Sequence, residues 1–104
     1  MSKGVTVTVT WMIKPELADA FVASLAEMFP VTRTHAGFRN IRLLRSATDP
    51  NQFLLTEEWD DARNFQDYAK FRTETGDTAD LLAMTVSPPQ MGLWNLDLLA
   101  GADA

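Results

Sequence analysis

The sequence predicts one α+β domain of ferredoxin-like order, β-α-β-β-α-β, built on an antiparallel sheet. Three observations carry that expectation. Val5, Val7, Val9, Trp11 and Ile13 alternate with Thr6, Thr8, Thr10 and Met12, a strand with β-branched residues on both faces. Leu17, Phe21, Leu25, Met28 and Phe29 follow at helical spacing, an amphipathic helix of about four turns. Two further strand-like runs, Phe38–Arg45 and Gln52–Trp59, are joined by Asp49-Pro50-Asn51, and a second helical segment follows at once.

Each element has a local cause. Lys14-Pro15-Glu16 ends the first strand: Pro15 suits a first helical turn, whose amides lack partners anyway, and Glu16 suits its positive end. Pro30 should stop this helix, because it cannot donate to the carbonyl four residues back. Val31–Gly37 then connects to the hairpin. In its turn Pro50 presets φ for the first central position and Asn51 tolerates the second. Phe53, Leu55, Glu57 and Trp59 share one face of the strand after that turn, since side chains alternate with period two. A carboxylate among aromatics is out of place on a core strand, so this face either closes on a partner or lines a pocket. Asp60 is the expected cap of the second helix, with Phe65, Tyr68, Ala69 and Phe71 or Arg72 inward and Gly76 as its stop. Asp77 to Met84 reads as a short third helix. Ser87-Pro88-Pro89 breaks the chain before a last strand over Gln90–Leu98, with Met91, Leu93 and Asn95 opposite Gly92, Trp94 and Leu96; Gly101–Ala104 reads as a frayed tail.

Composition narrows the chemistry. The 104 residues, 46% of them apolar, suffice for one core, so residues 1–104 are read as a single domain. With no cysteine, disulfides and thiol catalysis are excluded; with one histidine and no clustered carboxylate motif, no metal site is expected. A net charge of −5 argues against nucleic acid. Apolar runs fall short of the roughly 20 residues of a membrane span, and no signal peptide is visible over Met1–Thr10, so the expected location is cytoplasmic. Helices on one face leave the sheet's other face bare, including apolar residues of the two middle strands. Two such sheets packed face to face would cover both, so a homodimer is expected.

The strand-helix opening, the Gly37-Phe38 junction, the Asp49-Pro50-Asn51 turn, the Glu57-Glu58-Trp59 strand end and the aromatic helix after it together resemble the antibiotic biosynthesis monooxygenase family, over roughly residues 4 to 97. That resemblance implies a dimeric α/β barrel with a pocket in each subunit between sheet and helices. It implies small oxygenases that act on quinols, anthrones and other polyphenols with dioxygen and without metal or flavin, and relatives that degrade haem. The haem branch holds its iron with a histidine after the tryptophan; this chain has none between Asp60 and Met84, and Thr8 stands where the first strand's asparagine is usual. Where many quinol-type members carry a histidine on that helix, Tyr68 stands nearby.

The candidate catalytic residues are Tyr68, Arg72 and His35. Tyr68 and Arg72 lie four apart on one helix face, where a guanidinium beside a phenol would stabilise a bound phenolate. The alternative is a salt bridge from Arg72 to Glu57, Glu58 or Asp67, with Tyr68 filling the core. His35 has a pKa suited to general-base work, although its connector favours exposure. The candidate substrate-binding residues are Trp59, Phe65 and Asn95, with Trp59 as an aromatic wall or a packing residue of the strand-helix hinge. Glu57 is a buried base or, the favoured reading, the partner of an arginine on the neighbouring strand. The expected function is a cofactor-independent monooxygenase on an aromatic polyphenol. A non-catalytic dimeric ligand-binding or stress-associated module competes with it, and an isomerase or lyase on an enolisable substrate is a third reading.

Overall fold

The computed structural model describes residues 4–95 and Leu99. The chain runs β1 (Val5–Met12), a 3-10 turn (Pro15–Leu17), α1 (Ala18–Thr32), β2 (Phe38–Arg45), β3 (Gln52–Trp59), α2 (Ala62–Thr75), α3 (Asp77–Leu82) and β4 (Gln90–Asn95). The strands form an antiparallel sheet in the order β2-β3-β1-β4, the ferredoxin-like α+β arrangement that the pattern predicts.

Register decides which side chains meet the helices. Val5 pairs with Trp59, Val7 with Glu57, Val9 with Leu55 and Trp11 with Phe53. Paired residues point the same way, so the odd-numbered residues of β1 and β3 make one buried face. The core lies between that face and the helices. Phe21 of α1 packs its ring 5.5 Å from Trp11 and 5.1 Å from Phe53, in tilted geometries that aromatic pairs favour. Across the opposite face, Trp94 Nε1 donates to Thr8 Oγ1 at 2.9 Å.

The hairpin turn forms as its residues demand: Gln52 N–H donates to the Asp49 carbonyl at 3.2 Å, and Asn51 N–H to Asp49 Oδ1 at 2.9 Å. Gly76 closes α2 with φ 87°, a left-handed C-terminal stop.

Four local expectations are corrected. Pro30 lies inside α1, which continues to Thr32. The bond that proline forfeits is on the exposed side, at Ala26, where water can serve the carbonyl. Beyond it the ladder resumes, with Arg33 N–H on the Phe29 carbonyl at 3.0 Å. Asp61, not Asp60, caps α2 by accepting from Arg63 N–H at 2.8 Å, while Asp60 pairs with Arg39 Nε. Ile13 falls outside β1, in an isolated bridge to Thr85, and α3 ends at Leu82 rather than Met84. The expected continuation of β4 through Leu98 and the tail Gly101–Ala104 lie outside the described residues. No helix among the described residues is long and apolar enough to cross a membrane.

Gly37 fixes how β2 leaves the connector. Its φ is +82°, its carbonyl accepts from Asp60 N–H at 2.8 Å, and the Asn64 side chain occupies the space a Cβ would need. Gly37→Ala is therefore expected to cost roughly 1–3 kcal/mol in urea denaturation, from left-handed strain and the clash together. Asn64→Ala in the same chain removes the two nearer atoms, Cγ and Oδ1, but keeps Cβ, so it should recover part of the clash and leave the strain; equal costs in both backgrounds would refute the contact.

Candidate functional site

A cavity of about 300 Å³ lies between the buried sheet face and the helices. Its floor is Val9 and Trp11 of β1, Leu55 and Glu57 of β3, and Ile41 of β2. Leu25, Met28, Phe29 and Thr32 of α1 form one wall, and Phe65, Tyr68, Ala69 and Arg72 of α2 form another. Thr78, Leu81 and Leu82 close it from α3, with Pro89 and Met91 completing the lining. Met91 is 65% exposed and Leu82 43%, so this apolar edge faces solvent. The volume sits at the small end of ligand pockets, about 300–1,000 Å³, and the mix of an apolar lining with few polar groups is typical of them.

One set of polar groups binds the helices together. Arg72, 7% exposed, donates through Nε to the Tyr68 hydroxyl at 2.8 Å. Its Nη2 donates to the Met28 carbonyl at 2.8 Å and Thr32 Oγ1 at 3.2 Å, and its Nη1 reaches Asp77 Oδ2 at 2.8 Å. Tyr68 Oη lies 2.7 Å from Thr32 Oγ1; with the Thr32 hydrogen on the Met28 carbonyl at 3.1 Å, the phenol is the donor in that pair. Four of the five guanidinium donors are thus used, and α1, α2 and α3 meet on one cation. Burial works against the Arg72 charge, but the bonds to Tyr68 and Asp77 outweigh it and raise its pKa. Burial also raises the Tyr68 phenol above its ordinary range, against its hydrogen bonds with Thr32 and Arg72, so Tyr68 is neutral at neutral pH.

Glu57 is the second polar feature. It is 5% exposed and its Oε1 accepts from Trp59 Nε1 at 2.9 Å. The ion pair expected for it is not formed: the salt bridges among the described residues are Arg39–Asp60, Arg63–Asp67 and Arg72–Asp77. Nor does Arg72 bridge Glu58 or Asp67. Burial pushes the Glu57 carboxyl above the usual carboxylate range, offset in part by the Trp59 hydrogen bond and the Arg72 charge. Glu57 Oε2 accepts no hydrogen bond and is not sealed off. The one sealed side-chain polar atom without a partner among the described residues is Nε1 of Trp11, another residue of the cavity floor.

Of the residues singled out in the sequence, Tyr68, Arg72 and Phe65 come together on the cavity wall. Trp59 is fully buried outside the lining, its ring 5.1 Å from Tyr68 and 5.6 Å from Phe38, and reaches the cavity only through its bond to Glu57. His35 packs edge-on to Tyr68 at 5.1 Å and against Phe71 at 4.6 Å, also behind the lining. Asn95 pairs with Val5 at the exposed end of β4, beside a separate depression that Asp61 and Trp94 share. Thr32 and Trp11 are lining residues that the sequence does not announce: Pro30 predicts the end of α1 before Thr32, and the alternation of β1 marks Trp11 for the core or a dimer face.

Three solved structures show how widely this architecture recurs. A conserved protein from Methanosarcina mazei Go1 superposes with a TM-score of 0.85 at 14% identity, over 92% of this chain and 95% of that one. Rv0793 from Mycobacterium tuberculosis gives 0.80 at 23% identity, over 90% and 96%. SnoaB, a cofactor-independent oxygenase from Streptomyces nogalater, gives 0.81 at 18% identity, over 92% and 95%. At these identities the likeness is one of fold. No curated protein matches the chain significantly in sequence. The family model for the antibiotic biosynthesis monooxygenases matches residues 4–73, well over half of the 104, and the chain belongs to that family.

Proposed function

We propose that this protein is a cofactor-independent monooxygenase acting with dioxygen on a small quinol, anthrone or other polyphenolic substrate, as a homodimer in the cytoplasm. The observation that carries this reading is the apolar cavity holding a buried cation, Arg72, and a buried carboxylate, Glu57, on one wall and the floor. Such a site suits a planar aromatic ligand and stabilises the anion formed when that ligand loses a proton. Ground-state dioxygen is a triplet and reacts poorly with closed-shell molecules. An electron-rich carbanion or phenolate passes it one electron, the two radicals recombine as a peroxide, and loss of water leaves a carbonyl carrying one oxygen atom. The chain's part is to bind, orient, deprotonate and exclude water. In this reading Phe65 stacks on the substrate, and Tyr68 and Arg72 shape and polarise the wall. Trp59 and His35 support them from behind, and Asn95 would reach substrate only at the far end of β4.

The test is oxygen uptake by purified, chelator-treated protein with hydroquinones, naphthohydroquinones and anthrones, each corrected for autoxidation. Uptake above background is expected, with at least one anthrone or quinol. Tyr68→Phe should reduce it by less than about tenfold, because the phenol is already committed to Thr32 and Arg72. The committed state of those groups also favours a second reading, a non-catalytic ligand-binding module. Tight binding of the same molecules without any uptake would establish it.

A further inference from the structure

We propose that Glu57 is the catalytic residue that accepts the substrate's acidic proton; for its chemistry this rests on the oxygenase reading. Three facts set Glu57 apart from the other polar groups of the cavity. Tyr68 and Arg72 are spent on each other, on Thr32, on the Met28 carbonyl and on Asp77. His35 lies behind the lining. Glu57, by contrast, lines the cavity floor with one oxygen held by Trp59 and the other without a hydrogen bond.

The register supplies a ruler. Trp11 stands opposite Phe53, and Glu57 is four residues further along β3. Four residues of strand span about 13 Å between backbone positions. Between them the Val9–Leu55 pair gives a flat apolar surface. The ligand that fits has two or three fused rings, with an acidic hydroxyl or enolisable carbon at the Glu57 end and an apolar ring edge toward Trp11.

The proton step balances without moving net charge into the cavity. The substrate O–H or C–H bond breaks, its electron pair stays on the substrate, and an O–H bond forms on Glu57 Oε2. One buried anion replaces another, with Arg72 as the nearby cation in both states. After dioxygen adds, the Glu57 proton goes to the outer peroxide oxygen. Glu57 then takes the hydrogen left on the same carbon, that C–H electron pair forms the carbonyl as the O–O bond breaks, and the hydroxide leaving takes the proton from Glu57 to become water.

The experiment compares wild type, Glu57→Gln and Trp11→Phe with two ligands: a hydroxyanthraquinone whose hydroxyl is remote from the carbonyls, and unsubstituted anthraquinone. The first changes colour on ionisation; the second keeps the rings and carbonyls but lacks the acidic group. Glu57→Gln should weaken the hydroxylated ligand by about tenfold or more and abolish the spectrum of its ionised form, while leaving anthraquinone nearly unchanged. Trp11→Phe, a control that keeps an aromatic ring at the other end of the floor, should change both by the same factor. Equal affinity of wild type and Glu57→Gln for the hydroxylated ligand, an equal loss for both ligands, or no binding of either by wild type overturns the assignment. Oxygen uptake run alongside separates the two ideas. Uptake retained in Glu57→Gln overturns the role of Glu57 but not the oxygenase. Glu57-dependent binding with no uptake supports the recognition geometry and removes the oxygenase.

Discussion

Replacing Arg72 with leucine is expected to cost about 3 kcal/mol of stability, read as a lowered urea midpoint with an unchanged slope. The guanidinium joins α1, α2 and α3 by hydrogen bonds. Its loss leaves the Tyr68 hydroxyl, the Met28 carbonyl and Asp77 each short of a donor. Leucine fills part of the volume but satisfies none of them, and the cost of stranded polar groups dominates. Lysine should recover little, because a point charge on a flexible stem cannot serve four acceptors in three directions. The partner variant Asp77→Asn should cost less, since that side chain is 31% exposed and solvent screens the pair. Asp77 titrates below the ordinary carboxylate range, held there first by the Thr75 hydroxyl and then by Arg72. A depressed carboxyl binds its proton less readily when folded, so its contribution is complete above the unfolded pKa and is lost as pH falls through the folded one. Acid titration of wild type should show that loss below about pH 4, and Asp77→Asn should flatten it. A leucine variant as stable as wild type would mean that the network only fills space.

The fold was legible because its signals are periodic and local. Alternation in β1, helical spacing in α1, and the Asp49-Pro50-Asn51 turn each depend on neighbours in sequence, and the period of β3 sets Glu57 on one face with Phe53, Leu55 and Trp59 while leaving open whether that face meets a partner or lines a pocket. What lay beyond reach was set by tertiary choice. Pro30 carries a strong stop signal, yet its lost bond faces solvent, so packing and the resumed ladder carry the helix two residues further. Those residues deliver Thr32 to Tyr68. The sequence predicts an arginine partner for Glu57, because buried carboxylates usually have one. The nearest donor that the register supplies is instead Trp59, two residues along the same strand face. Arg72 has five carboxylates within five residues or across the next strand, and sequence alone does not say which one a kinked chain end at Gly76 will bring within 2.8 Å.

Trp59→Ala should be the other severe variant, with a loss of roughly 3–5 kcal/mol, because its ring is completely buried against Tyr68 and Phe38 and its removal leaves a void there. Trp59→Phe separates packing from chemistry. It keeps an aromatic ring against Tyr68 and Phe38 and should cost only about 1–2 kcal/mol. It also removes the N–H that holds Glu57 Oε1, the largest influence that opposes burial in lowering the Glu57 pKa. The Glu57 carboxyl should therefore rise further, and the pH at which ligand binding or turnover depends on its ionised form should move up with it. A carboxyl raised above its unfolded value binds protons more readily when folded, so the penalty of ionising Glu57 is absent at low pH and grows as pH rises through the folded pKa. The phenylalanine variant should thus lose more stability at neutral pH than at about pH 4. If its stability loss is the same at both, Trp59 packs the hinge and nothing more. If the loss widens with pH while the binding profile moves upward, Trp59 acts on the cavity through Glu57, without touching the ligand.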